Sequence, residues 1–402
     1  MDLLKKDNES IKEYTIRLFT NKDVFQLSNN DIAKLINDAS GCRKDESSYR
    51  KWYKAYIEGY QDAINLHTSA DRASRLEEVR LKAEILKKQA QTERLETNKW
   101  LRENARKELL YEHLCDIVKD LPPIEFTKGQ FKTKGRSTGL LCIADAHNGM
   151  NINLTTMNGE AINVYSPEIL KERLDKLLNM VVVDAERYFS YDKLIVFDLG
   201  DAIQNILRMS DIAKLKMGVL ESVMDYANTI SYWLVELSER LKVNVEYYCL
   251  GGNHAELRLL EAKKNFPNEN LGMIIREFVN LRLQSNSHIT VAPFTETAYA
   301  EIEGVHVLAY HGEDSKKDEA EINFWENYHN ISIDILIEGH LHHHEQSSVG
   351  YSSTGDKEVI KVPSLVGVDL YSKKIRKMSR AGAKFLLFED NQKTFERTYI
   401  LN

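Results

Sequence analysis

The spacing of hydrophobic residues changes near residue 139. Beyond it, short apolar and β-branched runs alternate with long stretches of helical period. Leu140-Leu141-Cys142-Ile143, Leu194-Ile195-Val196-Phe197, Val245 to Leu250, Val305 to Tyr310 and Ile333 to Ile337 read as strands. Residues 166–190 and 211–240 read as helices between them, and Phe385 to Phe388 and Glu396 to Ile400 flank Asn391-Gln392 as a closing hairpin. Strand and helix alternating in this way predict a layered α/β domain with buried sheet over residues 139–402.

Ahead of residue 139 the pattern is helical. No proline precedes Pro122 and no glycine lies between Gly59 and Pro122, so nothing breaks a long helix over 71–121. Leu76, Val79, Ala83, Leu86 and Ala90 form an a/d seam, interrupted at Glu93 and Thr97 before Trp100. The seam suits a coiled coil and a homodimer through residues 71–121, or packing of the helix on its own chain. Residues 1–70 read as a small all-α domain. Ser28-Asn29-Asn30-Asp31 has the form of a capping box opening a helix that stops near Gly41. A second start at Asp45-Glu46-Ser47-Ser48 leads into Tyr49 to Tyr56, where Arg50, Lys51 and Lys54 interleave with aromatics. Helix, turn and basic aromatic helix suggest a helix-turn-helix reader of DNA, although the turn is longer than usual. Residues 122–138 have the composition of a linker, with Lys128, Lys132, Lys134 and Arg136 against Glu125.

Composition narrows the class. The 402 residues are 43% hydrophobic, enough for a buried core. No run approaches the ~20 apolar residues that span a bilayer, so no membrane association is expected. Cys42, Cys115, Cys142 and Cys249 are scattered without a CxxC pair, which fits a reducing cytoplasm, bacterial or phage-infected. The net charge of −7 divides unevenly: 27 basic against 23 acidic residues in 1–138, and 27 against 38 in 139–402. An acidic catalytic part suits cations, and a mildly basic front part suits nucleic acid.

Each strand of the second half stops at a polar cluster. Ile143 runs into Asp145-Ala146-His147-Asn148-Gly149, Phe197 into Gly200-Asp201, Leu250 into Gly252-Asn253-His254, Tyr310 into His311-Gly312 and Ile337 into Gly339-His340-Leu341-His342. Carboxyl ends of strands are where α/β sheets place ligands. Two carboxylates, one amide and several imidazoles, without thiolate, suit a binuclear Mn, Fe or Zn centre. The ordered series resembles the calcineurin-like metallophosphoesterase superfamily over residues 139–345, with a first motif similar to its DNA-repair nuclease branch and a layout similar to phage-encoded members. The resemblance implies a layered β-sandwich flanked by helices, and two divalent metals, with Mn favoured. It implies that Asp145, His147 and His342 hold one metal, that Asn253, His311 and His340 hold the other, and that Asp201 bridges them. His254 would be the catalytic imidazole that serves the leaving oxygen while the metal pair activates water against phosphorus. One departure is Glu256, which falls one place later than the family's acidic residue after Gly252-Asn253-His254. His67, His113, His288, His306 and His329 read as structural, and His343 and His344 receive no ligand role.

No arginine follows Gly200-Asp201-Ala202-Ile203-Gln204-Asn205, unlike the Ser/Thr phosphatase branch. Tyr371 to Arg380 contains Lys373, Lys374, Arg376, Lys377 and no acid, a run able to track a phosphate backbone. The function expected is therefore a metal-dependent phosphodiesterase cutting DNA, as exo- or endonuclease. The alternatives are a phosphatase or cyclic-nucleotide phosphodiesterase whose helical front end serves oligomerisation, and a DNA-binding scaffold with a vestigial metal site. Residues 202–241 are a candidate cap over the cleft.

Overall fold

The computed structural model describes residues 3–66, 80–85, 87–88, 91–92, 94, 108–129, 131, 137–206, 211, 214–256 and 270–402. The chain divides into two compact units, Met1–Leu110 and Tyr111–Asn402.

The first unit is a helical cluster. Ser10 opens the helix Ile11–Thr20 and Ser28 the helix Asn29–Ser40, each with a reciprocal capping box, through Glu13 and Asp31 respectively. Gly41 closes the second helix at φ 69°, a left-handed turn that glycine enters without a Cβ clash. The third helix, Glu46–Leu66, follows Asp45, whose Oδ1 accepts the Ser48 N–H at 2.9 Å. Tyr14, Leu18, Ile32, Ile36 and Tyr49 form the shared core. Of the expected a/d seam only Ala83 is described, and it is exposed; Leu76, Val79, Leu86, Ala90, Glu93, Thr97 and Trp100 lie outside the described residues. Helix is present at the described positions between 80 and 94 and at 108–120.

The second unit is a two-sheet sandwich flanked by helices. Its strands are β1 (Ser137–Ile143), β2 (Ile152–Thr155), β3 (Ala161–Tyr165), β4 (Lys193–Asp198), β5 (Asn244–Cys249), β6 (Ile289–Val291), β7 (Thr297–Ile302), β8 (Val305–Tyr310), β9 (Ile335–Glu338), β10 (Glu345–Ser352), β11 (Gly355–Lys361), β12 (Gly382–Glu389) and β13 (Gln392–Ile400). One sheet has the order β13-β12-β1-β4-β5-β6 and the other β10-β11-β9-β8-β7, with β2 and β3 forming a separate hairpin. β1, β4 and β5 run parallel, as do β8 and β9. Leu140 and Cys142 of β1, Ile195 and Phe197 of β4, Val307 and Ala309 of β8 and Ile335 and Ile337 of β9 meet in the layer between the sheets.

The opposite face of the first sheet is covered by Pro167–Arg187 and Val219–Leu241. Ser166 caps the first of these, with Pro167 at its start, and Leu170, Leu174, Leu177, Val181 and their neighbours are buried at helical spacing. Val219–Leu241 buries Val223, Tyr226, Ile230 and Leu234. Its Tyr226 O–H donates to Asp198 at the end of β4 at 2.7 Å, joined by Tyr247 of β5 at 2.8 Å. This corrects two expectations. The helix begins at residue 219, after a Gly218 N-cap, and not at 211; and its apolar face is a wall of the core, so 219–241 is no cap. The linker-like stretch is anchored to this unit: Thr127 donates twice to Glu239, Arg282 donates to Pro122 O at 2.6 Å, and Phe131 stacks on His288. Lys132, Lys134 and Arg136 lie outside the described residues.

Candidate metal centre

The parallel strands of both sheets end on the same edge, and the backbone turns sharply there. Asp145, His147, Asp201, His340 and His342 all have positive φ, between 40° and 60°. Non-glycine residues rarely occupy this region, and such conformations persist where the surroundings hold them. Gly252 makes one approach possible, since a Cβ there would collide with Asp201 Oδ1. Gly200, at φ 94°, leaves room for the Gly251 carbonyl.

These turns gather the expected ligands into two adjoining groups. Asp145, His147 and His342 bring donor atoms within 4.8 Å of one another, and so do Asp201, His311 and His340. His147 Nε2 faces His342 Nε2 at 3.2 Å, and His342 Nε2 lies 3.7 Å from Asp145 Oδ1. In the second group His311 Nε2 is 3.2 Å from Asp201 Oδ2, 3.2 Å from Asn253 Oδ1 and 3.2 Å from His340 Nδ1. Asp201 Oδ2 also lies 3.9 Å from His147 Nε2, so one carboxylate touches both groups. His254 donates its backbone N–H to Asp201 Oδ1 at 2.7 Å, and its ring forms a third group with His147 and Asp201. The ring Nδ1 of His254 is buried without a hydrogen-bond partner among the described residues, consistent with the displaced Glu256.

The donor set fits a pair of divalent cations. Asp145 is fully buried, yet neither of its oxygens is hydrogen-bonded. An unpaired buried carboxylate is costly. Nitrogen and oxygen atoms about 3.2 Å apart are spaced as ligands sharing one ion at about 2.1 Å. Burial pushes the Asp145 carboxyl up to about 6. Burial alone would lower His342, but Asp145 and Asp369 hold it up at about 9. His311 is likewise desolvated, and Asp201 raises it to about 10. For His340 the Asp201 charge is outweighed: burial and the charge on His311 bring it down to about 3.

Two residues to which the sequence reading gave no part in the site complete it. Asp369 Oδ2 lies 3.4 Å from His342 Nδ1, and the Tyr371 hydroxyl is 3.2 Å from His340 Nε2. Asp369 caps the short helix Leu370–Ile375, a signal visible in sequence as Asp followed three places later by Ser372. That its other oxygen faces a histidine 27 positions earlier has no local signature. The cleft above the ligands, about 530 Å³, is lined among others by the apolar Met150, Ile152, Leu154, Leu370 and Tyr371 and by the acidic Glu256, Glu313 and Asp314.

The remaining expected residues divide. Lys373, Lys374, Arg376 and Lys377 are exposed on and just after the helix that carries Tyr371; Lys377 pairs with Glu345 at 3.0 Å. Arg50, Lys51 and Lys54 are exposed on the helix Glu46–Leu66, with Arg50 3.3 Å from Glu46 and Lys54 3.7 Å from Glu58. His343 is buried against Glu345 at 2.8 Å and His344 approaches Lys384 at 3.5 Å; neither lines the cleft.

Among the described residues no helix is long and apolar enough to cross a membrane. Solved structures with a similar outline include Vps29 from Entamoeba histolytica (13% identity, TM-score 0.33, covering 66% of this chain and 99% of that one) and a novel archaeal phosphodiesterase (10%, 0.30, 65% and 99%). A likeness at this level carries no function. Residues 1–67 match the family model described as the YonJ N-terminal domain, and residues 78–121 that described as the YonJ coiled-coil domain. Over 99% of its length the chain is 29% identical to an SPbeta prophage-derived uncharacterized protein, YonJ, of Bacillus subtilis (strain 168), covering 98% of that protein.

Proposed function

We propose that this chain is a binuclear metal-dependent phosphodiesterase that hydrolyses DNA. The observation that carries the reading is the double contact of Asp201, whose one oxygen faces His311 of one ligand group and His147 of the other. Asp145, His147 and His342 would hold one cation, Asn253, His311 and His340 the second, with Asp201 between them. Such a pair neutralises phosphate oxygens and activates water. The chain's own part is to fix the ligands at strained turns, to shape the cleft and to place the His254 imidazole beside the metal ligands, where it serves the leaving oxygen.

DNA is favoured by Lys373, Lys374 and Arg376, which flank the Tyr371 wall of the cleft and suit the phosphates of a longer substrate. The exposed Arg50, Lys51 and Lys54 give the helical unit a second contact with DNA. The coiled-coil match over 78–121 supports pairing of two chains through that segment. A second reading, hydrolysis of a small phosphoester by a phosphatase or cyclic-nucleotide phosphodiesterase, is favoured by Glu256, Glu313 and Asp314 in the cleft lining, which repel a continuing polyanion.

A substrate panel separates the two. With Mn²⁺, the full chain should degrade single- or double-stranded DNA, and His254→Ala should not. Turnover of a generic diester or monoester without cleavage of either DNA form would replace the first reading by the second.

A further inference from the structure

The turn that carries His340 and His342 is strained at both positions, with φ of 60° and 53°. Conformations of this kind are unfavourable for residues other than glycine and need neighbours that hold them. Both rings are met from one place, the start of the helix Leu370–Ile375. Asp369 is buried and uses its two oxygens separately: Oδ1 accepts the Ser372 N–H at 2.8 Å and so caps the helix, while Oδ2 faces His342 Nδ1 at 3.4 Å. The latter is an ion-pair contact, looser than an aligned hydrogen bond. Two residues on, the Tyr371 hydroxyl reaches His340 Nε2 at 3.2 Å.

In each ring the nitrogen away from this helix is the one turned to the ligand groups. His342 presents Nε2 to His147 and Asp145; His340 presents Nδ1 to His311. A neutral imidazole carries one N–H, so engaging the helix-facing nitrogen as donor leaves the lone pair on the nitrogen turned to the ligand groups. The two histidines need opposite tautomers, Nδ1–H in His342 and Nε2–H in His340. Asp369 and Tyr371 supply acceptors on those two sides.

We propose that Asp369 and Tyr371 are positioning residues that set the tautomer and orientation of His342 and His340, so that one short helix aligns both halves of the metal centre. The proposal rests on the two-metal reading and adds to it which cation each residue controls. Tyr371 acts on the cation held by Asn253, His311 and His340. Asp369 acts on the cation held by Asp145, His147 and His342. The same helix begins the cationic run Lys373 to Lys377, and its Leu370 and Tyr371 line the cleft.

The test is titration of the metal-free full chain with Mn²⁺ by calorimetry, for the unaltered protein, Tyr371→Phe and Asp369→Asn. The unaltered protein should bind two equivalents. Tyr371→Phe should weaken one equivalent by about 10-fold and spare the other. Asp369→Asn keeps a side chain suited to capping the helix but offers His342 Nδ1 a donor in place of an acceptor. It should weaken the other equivalent by about 10- to 100-fold, while Asp369→Glu, which restores an acceptor, recovers part of the loss. A general loosening of the fold would weaken both equivalents together, and that result overturns the proposal. So does unchanged affinity in both variants. If the unaltered chain binds no metal, the two-metal reading fails first, and this inference with it.

Discussion

The helical unit and the ligand edge of the sandwich are stabilised in opposite ways. In the helical unit, local chemistry and tertiary packing agree: Ser10, Ser28 and Asp45 start helices, Gly41 ends one in the conformation glycine prefers, and the core of Tyr14, Leu18, Ile32 and Ile36 is apolar. At the ligand edge they disagree. Five polar residues are forced into left-handed backbone, and buried carboxylates and imidazoles crowd together with unpaired atoms between them. Left-handed backbone at non-glycine residues also occurs elsewhere, at Gln26 and Lys242 for example, but at the ligand edge it coincides with buried polar atoms without hydrogen bonds, a combination that marks where function has been traded against stability. The sandwich tolerates them because its inter-sheet layer, from Leu140 through Phe197 to Ile337, is apolar and fixes the strand ends.

The contrast can be broken by substitution. The largest effect is expected from Asp201→Ala. It should lower phosphoester turnover on the order of 1000-fold, about 4 kcal/mol of transition-state stabilisation, with only a modest fall of the melting temperature in EDTA, where the His254 backbone N–H and His311 lose a partner. A large drop in metal-free stability would mean that Asp201 is mainly a structural residue. Leu18→Ala should do the reverse, costing about 2–5 kcal/mol in the helical unit, read by denaturant unfolding, while the second unit still binds metal. Smaller again, replacing Lys373, Lys374 and Arg376 together by Gln should weaken DNA binding roughly 10-fold in 0.1 M salt. It should also flatten the dependence of log affinity on log salt by about 2 to 3 units. An unchanged salt slope would remove these residues from the DNA path. The smallest effect belongs to Ser28→Ala, about 1 kcal/mol from one helix cap, visible in denaturant and silent in every activity assay.

Which features could be read from sequence follows from the same contrast. The Ser28 cap, the Gly41 stop and the start at Asp45 are interactions over three or four residues, so the chain states them directly. The five clusters at strand ends were legible because chemistry-bearing residues follow apolar runs. The closing hairpin was legible too, and it turns at Asp390-Asn391, both at positive φ. The division of the strands between two sheets was not, since β4 and β8 have similar apolar sequences and only non-local pairing assigns them. The hairpin of β2 and β3 was overlooked although Asn158-Gly159 is a strong turn signal; its strands are short and largely exposed, and Asn153 and Asn163 interrupt their apolar residues, so no continuous apolar run announced them. The helix placed at 211–240 begins only at Val219 because the stretch before it is built into the cleft, where Asp211 and Lys214 line the wall. Asp369 and Tyr371 escaped for the reason that makes them informative: their partners are 27 and 31 residues away, across a turn whose shape the local sequence does not disclose.

The count of bound metal tests the account most directly. Purified full-length protein, stripped and reloaded with Mn²⁺ and analysed by elemental mass spectrometry, should carry two ions per chain, and Asp201→Ala should carry fewer. Less than one ion per chain in the unaltered protein would contradict the assignment of Asp145, Asp201, His311 and their neighbours as a metal centre, and with it the phosphodiesterase.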